Sequence, residues 1–307
     1  MGLTLPELIE QYGSEDQCHA FLEELRWPDG VECPRCQGKK ISRIKDRRQF
    51  DCDGCRYQFS VRVGTVFHDS KLPLWKWFLA VYMMIESRKG VSANQLKRML
   101  GVSYKTAWYL CHRIRSAMSQ EGAELLEGIV EADETYVGGK ARNPRRADGY
   151  RSNVGRDWRS NKTVVLGAIE RGGELRVRVA PTARQGPVKD FLADVVADNA
   201  EAVYTDSLRS YRGIGDADTI HEFVDHSKGE WVRGAVHTNT VESAWSLFER
   251  AVIGSYHKLS TKHMQAYLDE FAFRFNNRNN PHLFRDTILA LVEADAVTFR
   301  ELTKPEA

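Results

Sequence analysis

The stretch 128–140, GIVEADETYVGGK, places carboxylates inside a run of residues that is typical of a β-strand. Strands disfavour Asp, and a charge that faces a core is costly unless a partner compensates it. A cation is the simplest such partner. Because side chains alternate along a strand, Glu131, Asp133 and Thr135 share one face, whereas Glu134 lies on the other. We therefore favour Asp133 as a metal ligand and do not expect Glu134 to share its site.

Four cysteines form two CxxC pairs with fifteen residues between the pairs. Each pair lets two thiolates from one turn bind the same ion, and two such turns complete a closed tetrahedron around a structural Zn²⁺. Two disulfides are the alternative, but we recognise no secretory signal and therefore expect a reducing compartment. The predicted ligands of one zinc ion, held in a small zinc ribbon, are Cys33, Cys36, Cys52 and Cys55.

Basic charge is concentrated in one part of this chain of 307 residues. Residues 37–120 carry 17 Lys and Arg against 5 Asp and Glu, whereas residues 121–307 carry 25 against 29. This distribution is typical of a nucleic-acid-binding module joined to a domain that holds cations, although a solvated basic surface gives the same counts. The most apolar run, 72–85, is too short to span a bilayer. We expect a cytoplasmic protein of several domains without a membrane partner.

Three helices are predicted in the basic block, at residues 73–87, 92–100 and 104–118. A short turn that begins at Gly101 joins the last two, which is the arrangement of a helix-turn-helix whose second helix enters the major groove of DNA. Other three-helix clusters share this pattern, and the flanking basic charge favours DNA contact. An apolar stripe on the second helix leaves five side chains predicted to point outward and contact DNA: Tyr104, Lys105, Trp108, His112 and Arg115.

The second half of the chain has the pattern of an α/β domain. Two strands joined by a hairpin turn, a helix and two further strands are predicted, in that order, at residues 164–169, 175–180, 187–196, 202–205 and 219–224. This order indicates a mixed sheet flanked by helices. Asp206 directly follows the strand 202–205, at the carboxyl end where ligand crevices form, and is the second candidate ligand.

Two interpretations remain open for Glu242, which lies near the start of a predicted amphipathic helix. It is either a ligand at the acidic site or the last member of a capping box with Asn239, because the two residues have N-cap to N3 spacing. The stretch 140–162 contains eight Lys or Arg and two Asp. It is either a basic loop that offsets the repulsion of phosphate by the acidic site or a disordered segment. Lys140 at its start is a candidate DNA contact.

Taken together, these motifs resemble one family. The two CxxC pairs, the helix-turn-helix and the segments DETYVGGK, YTDS, HTNTVE and FRFN resemble the insertion-sequence DDE transposases of the ISXO-like group, which is related to the Merlin DNA transposons. The resemblance covers nearly the whole chain. It implies a multidomain α/β protein with an RNase-H-like mixed sheet flanked by helices, preceded by a zinc ribbon and a helix-turn-helix.

The resemblance maps a catalytic, metal-binding triad onto Asp133, Asp206 and Glu242, with thirty-five residues between the last two. It thereby favours the metal role of Glu242 over the capping box. Members of the group with Asn in place of the third acid make Asn239 a weaker candidate. Relatives often place Lys seven residues after the third acid; this position is Glu249 here, and the following Arg250 is the predicted DNA contact.

The implied chemistry uses two Mg²⁺ or Mn²⁺ ions about 3.5–4 Å apart, which activate a water or a 3′-hydroxyl and stabilise the leaving oxygen in an in-line displacement at phosphorus. The implied function is a DNA transposase that binds the terminal inverted repeats of its element in double-stranded DNA, cleaves them and joins them to target DNA. A homodimer is expected when two ends are brought together. A metal-dependent nuclease without strand transfer and an inactive DNA-binding regulator are the alternatives.

The expected domain boundaries follow from these motifs. They are an N-terminal helical segment at 1–27, a zinc ribbon at 28–70, a helix-turn-helix domain at 71–120, an RNase-H-like catalytic domain at 121–280, and a C-terminal helix and tail at 281–307.

Overall fold

The structure, a computed structural model, describes residues 2–138, 162–215, 219–295 and 297–304. The chain divides into two compact units. Unit 1 consists of Met1–Ser119 and Asn277–Ala307, and unit 2 consists of Gln120–Asn276. No helix within the described residues is long and apolar enough to cross a membrane.

Helices and strands follow the predicted order along the described residues. The helices are α1 Leu5–Tyr12, α2 Glu15–Arg26, α3 Leu74–Glu86, α4 Ala93–Leu100, α5 Tyr104–Ser116, α6 Gln185–Val195, α7 Asn239–Ala251, α8 Met264–Asn276, α9 Leu283–Glu293 and α10 Phe299–Thr303. The strands are β1 Ile41–Ile44, β2 Gln49–Cys52, β3 Gln58–Phe59, β4 Ile129–Val137, β5 Thr163–Glu170, β6 Leu175–Ala180, β7 Ala202–Asp206 and β8 Ile220–Val224. A mixed α/β protein is thereby confirmed.

The ribbon in unit 1 is a small antiparallel sheet in the order β1-β2-β3. Its core is formed by Phe50 and Phe59, whose ring centroids lie 5.6 Å apart, with the edge of Trp27 packed on both rings. Trp27 directly follows α2, which begins at a capping box formed by Ser14 and Gln17. This core contains few apolar side chains, so the ribbon needs another source of stability.

Unit 1 includes the end of the chain, which the sequence led us to treat as a separate helix and tail. In the structure, α9 packs with α2 and α3, and Phe284 joins an aromatic cluster with Tyr12, Phe21 and Phe78. The backbone N–H of Val66 donates to the carbonyl of Leu291 at 3.0 Å. The apolar side of α9 therefore belongs to the core of unit 1, a contact that spans most of the chain and leaves no local pattern.

The turn between α4 and α5 has the predicted form. Gly101 ends α4 in the left-handed conformation, with φ of 61°, and the Ser103 side chain caps α5 by accepting from the N–H of Thr106. The predicted outward orientation of two residues on α5 is wrong, because His112 and Arg115 are each only 2% exposed. Seven of the thirteen residues of α5 are buried, so the helix is enclosed on more sides than its single apolar stripe indicated.

Unit 2 is built on a five-stranded mixed sheet in the order β6-β5-β4-β7-β8. Strands β4, β5 and β6 pair in antiparallel fashion, whereas β7 and β8 continue the sheet parallel to β4. Strand β4 is therefore central and paired on both sides, which fixes its register. The parallel pairs place the carboxyl ends of β4, β7 and β8 at the same edge of the sheet.

Helices cover both faces of this sheet. Side chains of α6, including Val188 and Phe191, pack with Val130 and Ala132 of β4 on one face. Helices α7 and α8 pack on the other face, where Glu131 and Asp133 point. The apolar part of that second layer contains Val137, Val165, Ile169, Val177, Trp245, Phe248, Leu268 and Phe271.

Helix α7 approaches the sheet closely at Gly167 of β5. Gly167 lies opposite Asp133 in the antiparallel ladder. A Cβ at residue 167 would lie 2.4 Å from Cζ2 of Trp245, well inside van der Waals contact. The absence of a side chain at Gly167 therefore lets the indole pack against the backbone of β5 and sets the distance of α7 from the sheet.

Replacing Gly167 with Ala should destabilise unit 2 by about 1–3 kcal/mol, because the added methyl group forces the buried indole of Trp245 to move. Urea unfolding of the full chain measures the difference. Gly186→Ala is the matched control, since a Cβ there meets nothing within 4 Å. Equal stability of the Gly167→Ala variant and the wild type would contradict this packing.

Candidate functional site

Two of the predicted acidic residues lie at matching positions of adjacent parallel strands. Glu131 of β4 is paired with Tyr204 of β7. Two residues further along each strand are Asp133 and Asp206, which therefore share the face that α7 covers. Asp206 ends β7, and its Oδ1 accepts from the N–H of Leu208 at 2.9 Å, which orients the carboxylate at the strand end.

The third acidic residue lies in the first turn of α7, which begins beside Glu131 of β4. Thr238 is the N-cap residue of this helix, and its hydroxyl donates to Oε1 of Glu242 at 2.8 Å. Nε2 of His226 lies 3.7 Å from the same oxygen. The capping box of Asn239 and Glu242 is wrong, because Asn239 is already the first helical residue. The carboxylate of Glu242 is 43% exposed and remains accessible to a ligand.

Asp133 is near enough to the other two carboxylates to interact with them electrostatically. The pKa of Asp133 lies well above its usual value, first because burial penalises the charged form and then because Glu134, Asp206 and Glu242 repel it. The pKa of Tyr211 also lies well above its usual value, first because the side chain is buried and then because Glu134, Asp133 and Asp206 repel its charged form. The hydroxyl of Tyr211 donates to Glu134 at 3.1 Å, on the face opposite Asp133, as the strand alternation predicts.

Asp133 has the surroundings of a candidate cation ligand. Among the described residues, no Lys or Arg forms an ion pair with Asp133, and the repulsion that raises its pKa is what a cation would relieve. Within the same residues, only the four cysteines bring three or more ligand atoms within 4.8 Å of one another. The acidic triad is therefore more widely spaced.

Sequence reasoning missed two residues beside this site. His226 approaches Glu242 from the turn after β8, and no local pattern distinguishes it from any other surface histidine. Glu131 is completely buried and bonds to the start of α7. The alternation that places it on the face of Asp133 was visible in the sequence, but its partner on α7 was not.

The predicted DNA contacts have different environments. Tyr104 and Lys105 are exposed in the first turn of α5, whereas Trp108 is partly buried between the rings of Phe299 and His112. The structure buries His112 and Arg115, as described above. On α7, Asn239, Glu249 and Arg250 are exposed, and Arg250 donates to Ser246. Lys140 lies outside the described residues.

The four predicted zinc ligands form one compact cluster in unit 1. The Sγ atoms of Cys33 and Cys55 lie 3.6 Å apart, and those of Cys36 and Cys52 lie 3.5 Å apart. Sulfurs around a tetrahedral Zn²⁺ at 2.3 Å are about 3.8 Å apart, so the spacing fits this ion. None of the four cysteines forms a disulfide. The predicted clustering of the four cysteines is therefore confirmed.

The two CxxC turns have the same backbone geometry. In each, the residue after the second cysteine adopts a positive φ, 58° at Gln37 and 56° at Arg56. Each of these residues donates its N–H to the carbonyl of the first cysteine, at 2.9 Å and 2.8 Å respectively. This shared turn directs both thiols of each pair to one point, and the two points coincide.

Comparisons with known proteins agree with this picture. Residues 125–276 match the family model of the ISXO2-like transposase domain, and residues 13–58 match that of the transposase zinc-ribbon domain. A relative from Halobacterium salinarum, described as an uncharacterized protein in transposable element ISH50, is 34% identical over 276 residues, which cover 87% of this chain and 92% of the relative.

Two solved structures show a weak likeness. The pre-cleavage Mos1 transpososome has 10% identity and a TM-score of 0.26, covering 71% of this chain and 79% of that chain. The Mos1 strand transfer complex has 12% identity and a TM-score of 0.28, covering 70% and 75%.

Replacing Cys52 with Ser should remove the zinc ion and unfold the ribbon, because metal binding supplies on the order of 10 kcal/mol in small zinc domains. We expect about one zinc per chain in the wild type and almost none in the variant, measured by elemental analysis of the purified protein. Cys18→Ala, at a buried cysteine outside the cluster, should retain its zinc. A wild-type protein that folds without zinc would contradict the assignment.

Replacing Asp133 with Asn should stabilise the protein at pH 8 in buffer without Mg²⁺ or Mn²⁺. Because the folded-state pKa is raised above the unfolded value of about 3.8, the folded state binds the proton more tightly. The stability of the wild type therefore falls as pH rises from 3.8 to the folded-state pKa. Above the folded-state pKa, the whole loss of stability remains. We expect a gain on the order of 1 kcal/mol in urea unfolding at pH 8.

The same comparison at pH 4 is the control, since the difference between the two proteins should shrink as Asp133 becomes protonated in both states. An Asp133→Asn variant that is less stable than the wild type at pH 8 would contradict the repulsion described above.

Proposed function

Because the chain belongs to the family of ISXO2-like transposases, we propose that it is a DDE-type DNA transposase that binds terminal inverted repeats, cleaves DNA and transfers the cut strand to a target. One observation carries this proposal. Asp133, Asp206 and Glu242 come from three separate elements, and the charges of Asp206 and Glu242 both add to the burial and to Glu134 in raising the pKa of Asp133. Such a cluster is costly unless divalent cations bind to it.

The sheet of unit 2 supports an RNase-H-like catalytic domain. Three antiparallel strands followed by two parallel strands, with helices on both faces, make up the topology. The candidate site lies where β4 and β7 present Asp133 and Asp206 from adjacent strands, which is the kind of edge where α/β sheets place ligands.

The residues of this site have separable tasks. Asp133, Asp206 and Glu242 would hold two Mg²⁺ or Mn²⁺ ions, which supply Lewis-acid activation at phosphorus when bound. The backbone of β4, paired on both sides, keeps Asp133 fixed while a phosphodiester binds. The hydroxyl of Thr238 would orient the carboxylate of Glu242, and Nε2 of His226 lies 3.7 Å from the same carboxylate oxygen.

Unit 1 is the proposed DNA-binding part. The excess of basic residues at 37–120 would contact the phosphate backbone, and α5 would act as the second helix of a helix-turn-helix in residues 71–120. Tyr104 and Lys105, exposed at the start of α5, are the side chains best placed to reach a groove. Arg250 on α7 is a proposed DNA contact of unit 2. Pairing of two element ends would require a homodimer.

Incubating the protein with labelled terminal repeats, target DNA and Mg²⁺ tests the proposal. We expect nicked ends and joined products, detected on sequencing gels. The variants Asp133→Asn, Asp206→Asn and Glu242→Gln should retain DNA binding but lose cleavage by about a thousandfold or more, since metal-ion stabilisation of the transition state amounts to several kcal/mol.

The pattern of products separates this proposal from its alternatives. Nicks without joined products would indicate a nuclease without strand transfer. A mobility shift without any cleavage would indicate a DNA-binding regulator. Glu249→Gln, on the exposed side of α7, is the matched control and should cleave and join as the wild type does.

A further inference from the structure

Glu131 is a fully buried carboxylate, 0% exposed, whose two oxygens are both occupied. Oε2 accepts from the backbone N–H groups of Thr240 and Val241, at 2.7 Å and 3.2 Å. Oε1 accepts from the hydroxyl of Thr240 at 2.9 Å and from Nε of Arg171 at 2.7 Å. A ring nitrogen of His237 lies 3.1 Å from the same oxygen.

These bonds replace the usual cap of α7. The first N–H groups of a helix have no partner within the helix, and a side chain just before it commonly accepts from them. At α7 the side chain of Thr238 bonds to Glu242, and the accepting carboxylate comes from β4, 109 residues earlier. Its negative charge also suits the positive end of the helix dipole. Helix α7 is therefore attached to the central strand by its amide groups.

The attachment extends to the segment before α7. Arg171, held by Glu131, donates to the carbonyls of Ala235 and His237 at 2.8 Å and 3.2 Å. The two oxygens of Glu131 thus contribute differently: Oε1 compensates the charge of Arg171, whereas Oε2 bonds only to the helix amides. Compensation of Arg171 alone would not explain the bonds to Oε2.

The position of Glu131 relates this attachment to the acidic site. Asp133 lies two residues further along β4 on the same face, and Glu242 lies in the turn of α7 that Glu131 holds. We propose that Glu131 is a positioning residue, which fixes Glu242 relative to Asp133 and thereby sets the affinity of the site for divalent cations. The inference rests on the proposed function, because it takes the triad as a metal site.

The test compares Glu131→Gln with the wild-type full chain. Both oxygens of Glu131 accept hydrogen bonds, whereas the side-chain amide of Gln has one oxygen and one NH₂ donor. Either the bonds from the amides of Thr240 and Val241 or those from Arg171 and the Thr240 hydroxyl must therefore break. We expect the amides of Thr240 and Val241 to exchange hydrogen about tenfold faster in the absence of Mn²⁺. We also expect Mn²⁺, used alone as the probe in calorimetry, to bind about 10–100-fold more weakly.

Two further variants keep the test decisive. Glu174→Gln breaks an ion pair with the buried Arg176 and does not touch α7, so it should leave both measurements unchanged. Thr240→Val removes one hydroxyl donor to Glu131 but keeps the backbone bonds, and should weaken Mn²⁺ binding severalfold. If Glu131→Gln does not fold, Thr240→Val decides the question.

The outcomes are distinct. A folded Glu131→Gln or Thr240→Val variant with wild-type Mn²⁺ affinity overturns the inference, even if its stability is reduced. Faster exchange at Thr240 and Val241 together with weaker Mn²⁺ binding supports it. A wild-type protein that binds no Mn²⁺, or whose binding is unchanged by Asp133→Asn, overturns the proposed function instead and is recognised before the Glu131 variants are compared.

Discussion

The buried carboxylate of Asp133 is repelled by Asp206 and Glu242, and this repulsion is the constraint that unit 2 must withstand. The three groups lie on elements that would separate if the sheet and α7 were free to move apart. Strand β4 resists this because it is paired on both sides, and α7 resists it because Glu131 bonds to its first turn. Strand pairing and hydrogen bonds therefore keep the carboxylates in place, although the charges repel one another.

Apolar packing supplies the force that opposes this repulsion. Trp245 and Phe248 of α7 are buried against β5 and α8, and the indole reaches the backbone only because residue 167 is glycine. Burial of each large side chain contributes about 1.5–3 kcal/mol. The apolar side chains pack between α7, α8 and β5, whereas the side chain of Glu242 remains accessible.

The ribbon of unit 1 has few apolar side chains to bury, so it needs a source of stability other than a large core. The four thiols of the CxxC turns, each turn closed by a residue with positive φ, take the place of a larger core. The helices around it are held by the aromatic cluster that includes Phe284 of α9. The chain therefore returns to unit 1 after completing unit 2, so that residues from both ends of the sequence form unit 1.

Local patterns were sufficient to predict the CxxC cluster, the strands of unit 2, the hairpin and the face of β4 that carries Asp133, because spacing and alternation follow directly from backbone geometry. They failed at the start of α7, at the burial of His112 and Arg115, and at the packing of α9. The cap from Glu131, the enclosure of α5 and the packing of Phe284 all depend on residues far apart in the chain. The spacing of residue types along the sequence does not reveal such contacts, since they form only when the elements pack together.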